Sequence, residues 1–553
     1  MLPSKTALYR ALTLAAANSL RVTLPVIGRF LCATALLLLA VGAARAAITQ
    51  SGAVAPDPID PASIEDISVG VQGIGSLRVD GGSSLESDNV QIGASGVGYA
   101  TVTGAGSQWS AYSIEMGASN GVGRLDITDG AVVTSQQDFQ IGGYNGAGAT
   151  VVVDGVGSTL WADSRLDVGV DGPGTLQISN QAIVVCANYY DLRVGTGGRV
   201  ELRDGSLSGL TFDSAGVVTG AGEITAQNHF ENGGLIEVGP GDKFTVRTSQ
   251  SNIQNYGKIR IVGGEAEFLA RLTNSDEGEP FNGPAEISLS NGVLRVSDPT
   301  SSYNPDFYHT DALLVSLAGT NEVYGTMQQR VGQTLVTGDS TLVFHDPVDF
   351  QSGSLEVHAW STALFLAGAE LNSSVNLSIA HGAPVPIQLA ATGDPSTSFS
   401  LDLRVSFAES IAPQVGDVFP LISGSFGYTN FYNVELPELP VGMVWSLDES
   451  MSSIQLRILA APQGDYNSDG YVDAADYTVW RNAVGSSALL AADGDGSGIV
   501  DAGDYAVWKN NFGTDAWTLD AESAAQAALA AVPEPGTTLL LLLGALLLAR
   551  CRP

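Results

Sequence analysis

Two short stretches near the C-terminal end carry oxygen-bearing side chains at matching intervals, and they start 28 residues apart. Residues 465–476 have Gly470 at the sixth position, and residues 493–504 have Gly498 there. Calcium takes roughly six to eight oxygen ligands, and a loop of about 12 residues closes around it when the sixth residue turns sharply. The spacing therefore predicts two calcium-binding loops.

The predicted ligands occupy loop positions 1, 3, 5, 7, 9 and 12, with the backbone carbonyl used at position 7. In the first loop they are Asp465, Asn467, Asp469, Tyr471, Asp473 and Asp476. In the second loop they are Asp493, Asp495, Ser497, Ile499, Asp501 and Asp504. The alternative is a pair of Asp-rich turns that hold no ion.

A similar short amphipathic segment follows each loop, at residues 477–482 and 505–510. Residues 460–464, before the first loop, have the composition of a linker, and position 12 is aspartate rather than the glutamate of an ordinary EF-hand. This duplicated loop–helix unit, residues 464–515, resembles the dockerin type I module. The resemblance implies two bound calcium ions and a cohesin-like protein partner.

In dockerins, loop positions 10 and 11 face the cohesin, often with hydroxyl side chains. The resemblance therefore implies a docking surface at Ala474, Ala475, Ala502 and Gly503. Because these residues carry no hydroxyl, the partner stays open between a cohesin-like protein and another extracellular-matrix component.

The two ends of the chain carry targeting signals. Residues 1–46 contain basic but no acidic residues, an apolar run at 30–41 and small residues before position 47, which predicts a secretory signal peptide. At residues 532–553, Pro533, Glu534 and Pro535 precede an apolar run at residues 539–549, which Arg550 follows.

This C-terminal pattern resembles the PEP-CTERM sorting signal. The resemblance implies recognition by an exosortase and a location at the cell surface, in the outer envelope or in the extracellular matrix. A plain membrane anchor is the alternative, and in either case the membrane is contacted only through this hydrophobic tail, transiently or permanently.

Composition limits the partners. With 58 acidic and 24 basic residues the net charge is −34, and such a surface repels nucleic acid. The three cysteines include Cys32 in the predicted signal and Cys551 in the predicted tail, so disulfides do not stabilise the fold.

Aliphatic–glycine pairs recur at steps of 23, 24, 25, 27 and 26 residues. They are Val69-Gly70, Ile92-Gly93, Met116-Gly117, Ile141-Gly142, Val168-Gly169 and Val194-Gly195. Apolar residues alternate with polar ones between these pairs, which predicts short strands with one inward face. A period of this length indicates a solenoid, here a parallel β-helix over residues 67–215 that continues less regularly over 216–383.

A Gly-x-Gly-Ser motif followed closely by tryptophan appears at residues 104–109 and 155–161. It resembles a repeat associated with PEP-CTERM and autotransporter proteins, which implies a β-helical passenger. Trp109 and Trp161 are candidates for stacking on the sugar rings of a polysaccharide, and the alternative is that they fill the solenoid. Residues 384–459 have longer alternating strands, typical of a β-rich cap or sandwich.

The chain is therefore predicted to be mainly β: a parallel β-helix, a β-sandwich-like region, a small α-helical calcium module and a C-terminal hydrophobic helix. We find no converging set of catalytic residues. The expected function is that of an exported, non-catalytic surface or matrix protein with a β-helical stalk and a docking module. The alternative is a carbohydrate-active component, either a glycan binder or a glycoside hydrolase or polysaccharide lyase.

Overall fold

The computed structural model describes residues 47–187, 191–249, 252–276, 284–298, 305–390, 397–408 and 411–531. These residues all belong to one compact unit, Ala46–Pro553. The predicted signal peptide and the predicted sorting tail, with Pro533, Glu534, Pro535 and Arg550, lie outside the described residues. None of the helices in the described ranges combines the length and the apolar character that a membrane crossing requires.

The described residues form 43 strands, numbered β1–β43 in chain order. Strands β1–β15 are Ala47–Gly52, Val54–Ala55, Ile67–Val69, Ile74–Asp80, Ser84–Ile92, Val97–Thr103, Gln108–Met116, Val122–Thr128, Val132–Ser135, Phe139–Ile141, Gly148–Asp154, Thr159–Ala162, Leu166–Val168, Gly174–Ser179 and Ile183–Cys186. Strands β16–β30 are Leu192–Val194, Gly198–Ser214, Val217–Asn232, Leu235–Val238, Lys243–Thr248, Ile253–Asn255, Lys258–Val262, Glu265–Leu269, Leu272–Ser275, Glu286–Ser290, Val293–Val296, Phe307–Thr310, Leu313–Ala318, Thr320–Tyr324 and Met327–Gln329. Strands β31–β43 are Gln333–Val336, Thr341–Phe344, Val348–Phe350, Ser354–Val357, Thr362–Phe365, Ala369–Leu371, Ser374–Ile379, Ile387–Leu389, Ser398–Phe407, Val418–Ser423, Tyr428–Glu435, Met443–Ser450 and Ser453–Ala460.

The strands wind into a β-solenoid of about 13 turns, which confirms the predicted solenoid and its mainly β class. Most strands pair in parallel with the strand one turn earlier and the strand one turn later; Val151, for example, lies between Leu125 and Leu176. The aliphatic residues of the six aliphatic–glycine pairs, which we call the anchors, lie opposite one another in neighbouring turns, from Val69 opposite Ile92 to Val168 opposite Val194.

Inward side chains of neighbouring turns stack on one another and form one continuous hydrophobic core. Leu125, Val151 and Leu176 are each fully buried, while the residues on either side of them in their own strands are less buried, as alternation predicts. Gly93 shows why the corners need glycine: its φ is 76°, and a Cβ would lie 2.3 Å from the Val122 carbonyl. An alanine there would clash with backbone atoms.

The solenoid extends beyond the position where the sequence predicted a sandwich. Strand β39 still pairs in parallel with β36 and β37, and within the described part of residues 384–459 the antiparallel pairs are β40 with β43 and β42 with β43. Of the two alternatives for residues 384–459, a β-rich cap or a sandwich, this pairing favours the cap: the described part of the segment holds the last solenoid turns and antiparallel strands at their end. Both arrangements bury alternate residues, so the pattern could not separate them.

Both ends of the parallel ladder meet an antiparallel strand. At the start, β1 pairs antiparallel with β4, and at the other end β43 pairs antiparallel with β40. Exposed strand edges invite pairing with other chains, and these end strands cover the terminal turns.

Three α-helices follow the cap: α1 (Ala474–Ala483), α2 (Ala502–Asn511) and α3 (Ala516–Ala531); Leu490–Ala492 form a 3₁₀ turn. Helix α3 rests on the cap, because Ala516 packs with Val444 and Leu459. Arg457 of β43 also forms an ion pair of 2.8 Å with Asp520. The predicted hydrophobic helix falls at residues 539–549, outside the described residues.

Candidate calcium-binding site

The first loop is folded back on its first residue. Asp465 accepts hydrogen bonds from the backbone N–H of Gly470 at 2.9 Å and of Asp469 at 3.2 Å. Gly470, at the sixth position, has φ of 89°, the left-handed conformation that glycine adopts without strain. The loop thus turns at the residue where the sequence predicted a turn.

Asp476, at loop position 12, is fully buried beneath the loop. Its carboxylate accepts from the backbone N–H of Tyr466 at 2.8 Å, of Asn467 at 3.1 Å and of Asp473 at 2.8 Å. Asp473 is the N-cap of α1, and together with Asp476 it forms a capping box. Loop positions 9 and 12 therefore also start the helix.

The second loop repeats this geometry. Asp493 accepts from Gly498 N–H at 2.8 Å, and Asp504 accepts from the N–H of Asp501 at 2.7 Å and of Asp495 at 3.1 Å. Asp501 and Asp504 form the capping box of α2. One carboxylate oxygen from each of Asp493, Asp495 and Asp504 lies within 4.8 Å of the others.

These residues fit calcium. The donors are carboxylate, amide and hydroxyl oxygens, which a hard cation prefers. Burial raises the pKa of Asp465, and the neighbouring carboxylates of Asp476 and Asp469 raise it further. Charge of one sign gathered in a half-buried loop is costly, and a divalent cation at the centre would offset that cost.

Two of the predicted ligands, Ser497 and Tyr471, make side-chain contacts other than the carboxylate–backbone hydrogen bonds described above. The Ser497 hydroxyl donates to the Ile499 carbonyl at 3.0 Å, so both position-5 and position-7 oxygens of the second loop lie together. In the first loop the Tyr471 ring packs on Trp517 with centroids 5.0 Å apart. The assignment of all twelve residues as calcium ligands stays a prediction.

Two tryptophans join the repeats reciprocally. Trp480 of α1 donates from Nε1 to the Asp501 carbonyl at 2.7 Å, and Trp508 of α2 donates to the Asp473 carbonyl at 2.7 Å. Each helix therefore holds the ninth position of the other loop. The two helices are recognisable as a repeat in the sequence, but this role was not predicted, although the 28-residue spacing that they share could have signalled it.

The contact between the repeats is completed by tyrosines. Tyr477 and Tyr505 pack between the two indoles, with Trp480 and Tyr505 centroids 5.0 Å apart. Tyr466, from the first loop, donates its hydroxyl to the Asp504 carbonyl at 2.7 Å. Burial raises the pKa of Tyr466, and the surrounding aspartates raise it further. The hydroxyl therefore stays protonated and keeps donating.

The predicted docking positions lie at the first turns of α1 and α2. Ala474, Ala475 and Ala502 are exposed, and Gly503 is half-buried. A Cβ at Gly503 would lie 2.3 Å from an Asp495 carboxylate oxygen, which explains glycine where the first repeat has Ala475. Their role in docking stays a prediction.

The two solenoid tryptophans, Trp109 and Trp161, are less exposed than stacking on sugar rings requires. Trp109 is only 1% exposed and donates to the Ser87 hydroxyl inside the solenoid, so its proposed stacking on glycans is wrong. Trp161 is half-buried and its Nε1 donates to Asp163 at 2.6 Å. Ser107 and Ser158 of the same motifs are buried. Their hydroxyls accept hydrogen bonds from the backbone N–H groups of Gly82 and Gly130, respectively, in the preceding solenoid turn.

Residues 463–513 match the family model of the Dockerin type I domain. Type I dockerin domains in general bind calcium, and dockerins bind cohesin partners. Such modules are typically found on extracellular or cell-surface proteins. No curated protein is significantly similar to the chain. Since the match covers the calcium module alone, the resemblances of the repeats and of the tail stay predictions.

Proposed function

We propose that this chain is an exported, non-catalytic surface or extracellular-matrix protein whose β-helical stalk carries a calcium-dependent docking module. The observation that carries the proposal is that Asp476 and Asp504 each belong both to a loop and to the start of the helix that follows it. Each is buried at the end of a predicted calcium loop, and each completes the capping box of the helix whose exposed first turn is a predicted docking position. Calcium binding would therefore order the docking surface.

The module would bind two calcium ions, one in each loop, through the twelve predicted ligands. Reciprocal bonds from Trp480 and Trp508 support two sites that form together. The part of the first loop around Gly470 and Tyr471 is covered by Trp517. A partner would therefore approach from the α1–α2 side, where Ala474, Ala475 and Ala502 are exposed.

The test uses the full chain as prey and a panel of purified cohesin domains as bait, with calcium or with a chelator. We expect capture only with calcium. The double variant Asp476→Asn, Asp504→Asn should lose capture. Asp520→Asn is the matched control, because Asp520 pairs with Arg457 away from the loops. Equal capture with and without calcium would reject the docking proposal.

Export and C-terminal processing belong to the same proposal. The acidic composition and the two terminal signals support a secreted chain that an exosortase processes. Intact mass spectrometry of the extracellular form should show loss of residues 1–46 and cleavage near Pro533. A form that keeps both segments would contradict this route.

A groove on the solenoid favours glycan binding as a second function. It has a volume of about 930 Å³, and Glu356, Asn376 and Arg404 are among the residues that line it. Trp360 also lines it, 50% exposed and with φ of 71°, a conformation unusual for a bulky residue. An exposed indole beside carboxylate, amide and guanidinium groups suits the faces and hydroxyls of sugars.

Affinity electrophoresis in gels that contain xylan, soluble cellulose derivatives, pectin or alginate tests this second function. Trp360→Ala should abolish any retardation, while Trp161→Ala should leave it unchanged, because Trp161 is half-buried and bonded to Asp163. Retardation that survives Trp360→Ala would remove the groove as its cause. Release of reducing or unsaturated sugars would instead support the enzyme alternative.

A further inference from the structure

Three side chains with metal-binding atoms meet on the outer surface of the solenoid, far from the calcium module in sequence. Asp213 comes from β17, and His229 and Glu231 come from β18. One ligand atom from each lies within 4.8 Å of the other two. The His229 Nε2 atom is 3.1 Å from Glu231 Oε2 and 3.8 Å from Asp213 Oδ1.

The parallel ladder fixes this arrangement. His229 and Glu231 are two residues apart in one strand, so their side chains leave the same face. Asp213 pairs in register with Glu231, and Thr211 pairs with His229. Neighbouring strands lie about 4.8 Å apart, which places the two carboxylates directly above one another. The three groups are thus held together by backbone hydrogen bonds rather than by flexible loops.

The cluster brings two carboxylates, those of Asp213 and Glu231, opposite one another. Like charges directly opposite on neighbouring strands destabilise a sheet. Asp213 Oδ1 is shielded from solvent and has no hydrogen-bond partner. Burial raises the pKa of Asp213; the neighbouring His229 acts against this rise, and Asp191 and Glu231 add to it. The nearby Arg193 guanidinium is engaged by Asp167, at 2.7 and 2.8 Å.

We propose that Asp213, His229 and Glu231 bind a first-row transition-metal ion, with Zn²⁺ as the preferred ion. One imidazole nitrogen and two carboxylate oxygens form a ligand set that suits zinc, whereas calcium takes oxygen ligands. Metal–ligand distances of about 2.1 Å place two tetrahedral ligands about 3.4 Å apart. The separations of 3.1 and 3.8 Å around His229 Nε2 bracket that value.

The site would keep an open position. The three side chains are each between 34% and 41% exposed, so water can complete the coordination. Orphaned Asp213 Oδ1 would gain the partner that it lacks. This proposal is independent of the docking function, because its residues lie in the stalk.

Isothermal titration of the full chain with Zn²⁺, in saturating calcium to fill the module, tests the proposal. We expect one stalk-dependent equivalent whose affinity falls at least about tenfold in His229→Asn and in Asp213→Asn. Titration with Co²⁺ should give a visible absorption band that both variants lose. Far-UV circular dichroism checks that each variant is folded, and Glu231→Gln provides a third, milder change.

His345→Asn is the matched control. Its Nε2 atom lies 3.4 Å from Glu322 on the same solenoid. Among the described residues, His345 belongs to no group of three potential metal ligands. Zinc affinity should be unchanged in this variant. Equal zinc affinity in all variants, or no zinc binding by the parent chain, would overturn the proposal.

Discussion

Two sets of buried polar side chains differ in the hydrogen-bond partners that surround them. In the calcium module, Asp476 and Asp504 are buried because backbone N–H groups surround their carboxylates. Inside the solenoid, Asn232, Asn255 and Asn274 form a ladder with side-chain hydrogen bonds of 2.7 Å, and at its end Asn274 lies 3.2 Å from His309 Nδ1. Partners of both kinds offset the cost of burial.

His309 makes stability depend on pH. Burial lowers its pKa from 6.5 to about 4, while the unfolded chain keeps the ordinary value. The unfolded state therefore binds more protons between these values, and the free energy of unfolding should fall by about 3 kcal/mol as the pH drops from 6.5 to 4. Urea unfolding at several pH values measures this fall. In His309→Asn this fall should be smaller, and an unchanged fall in that variant would show that another group causes it.

Glycine corners differ in how much they tolerate a side chain. Gly93 and Gly82 both have positive φ, but only at Gly93 would an added Cβ lie within 3 Å of backbone atoms. Gly93→Ala should therefore cost about 3 kcal/mol or more, and Gly82→Ala about 1 kcal/mol. Thermal unfolding followed by circular dichroism compares them. Equal losses would mean that conformation alone, and not contact between rungs, requires glycine.

At the scale of elements, the two loop–helix units are held together more by each other than by the rest of the chain. Val479, Trp480 and Trp508 pack on a small core of Tyr466, Ala483, Ala492 and Val500. Each tryptophan also donates to the N-cap carbonyl of the opposite helix, so each repeat is hydrogen-bonded to the loop of the other.

We expect Trp480→Phe and Trp508→Phe each to lower calcium affinity at the opposite loop as well as stability. Each change removes one hydrogen bond, worth about 1 kcal/mol, and keeps an aromatic ring. Calcium titration should show weaker and less cooperative binding. Trp445→Phe is the control, since Trp445 donates to the Pro437 carbonyl in the cap, away from both loops. Calcium binding unchanged in both helix variants would reject the coupling.

At the scale of the whole molecule, the stalk and the module have separate hydrophobic cores. The solenoid core is continuous from the first turns to the cap, and the module has its own cluster. They meet where Ala516 and Trp517 pack against Val444 and Leu459, reinforced by the Arg457–Asp520 pair. The module is thus seated on the cap by a small contact.

Removal of calcium should therefore unfold the helices and leave the solenoid folded. We expect a chelator to reduce the helical circular dichroism signal, while the thermal transition of the β-rich part changes little. The parent chain with calcium should show two transitions, and only the module transition should move with calcium concentration. Loss of β structure on chelation would contradict two separate cores.

Much of the architecture was predictable from local pattern. The anchors from Val69 to Val194 gave the period and the stacking register, because each turn repeats the same corner chemistry. The loop spacing from Asp465 to Asp476 predicted the turn at Gly470 and the helix that follows. The boundaries of the predicted segments stay predictions, since parallel rungs and sandwich strands share one alternation.

The sequence by itself determined the properties that depend on near neighbours: the glycine corners, the inward alternation and the oxygen spacing of the loops. Only the tertiary structure decided which residues meet across turns. It placed Trp109 inside the solenoid, and it brought Asp213 beside His229 and Glu231 through a turn of 18 residues, shorter than the earlier ones. Such meetings depend on the length and register of each turn, which the alternation of apolar residues does not specify.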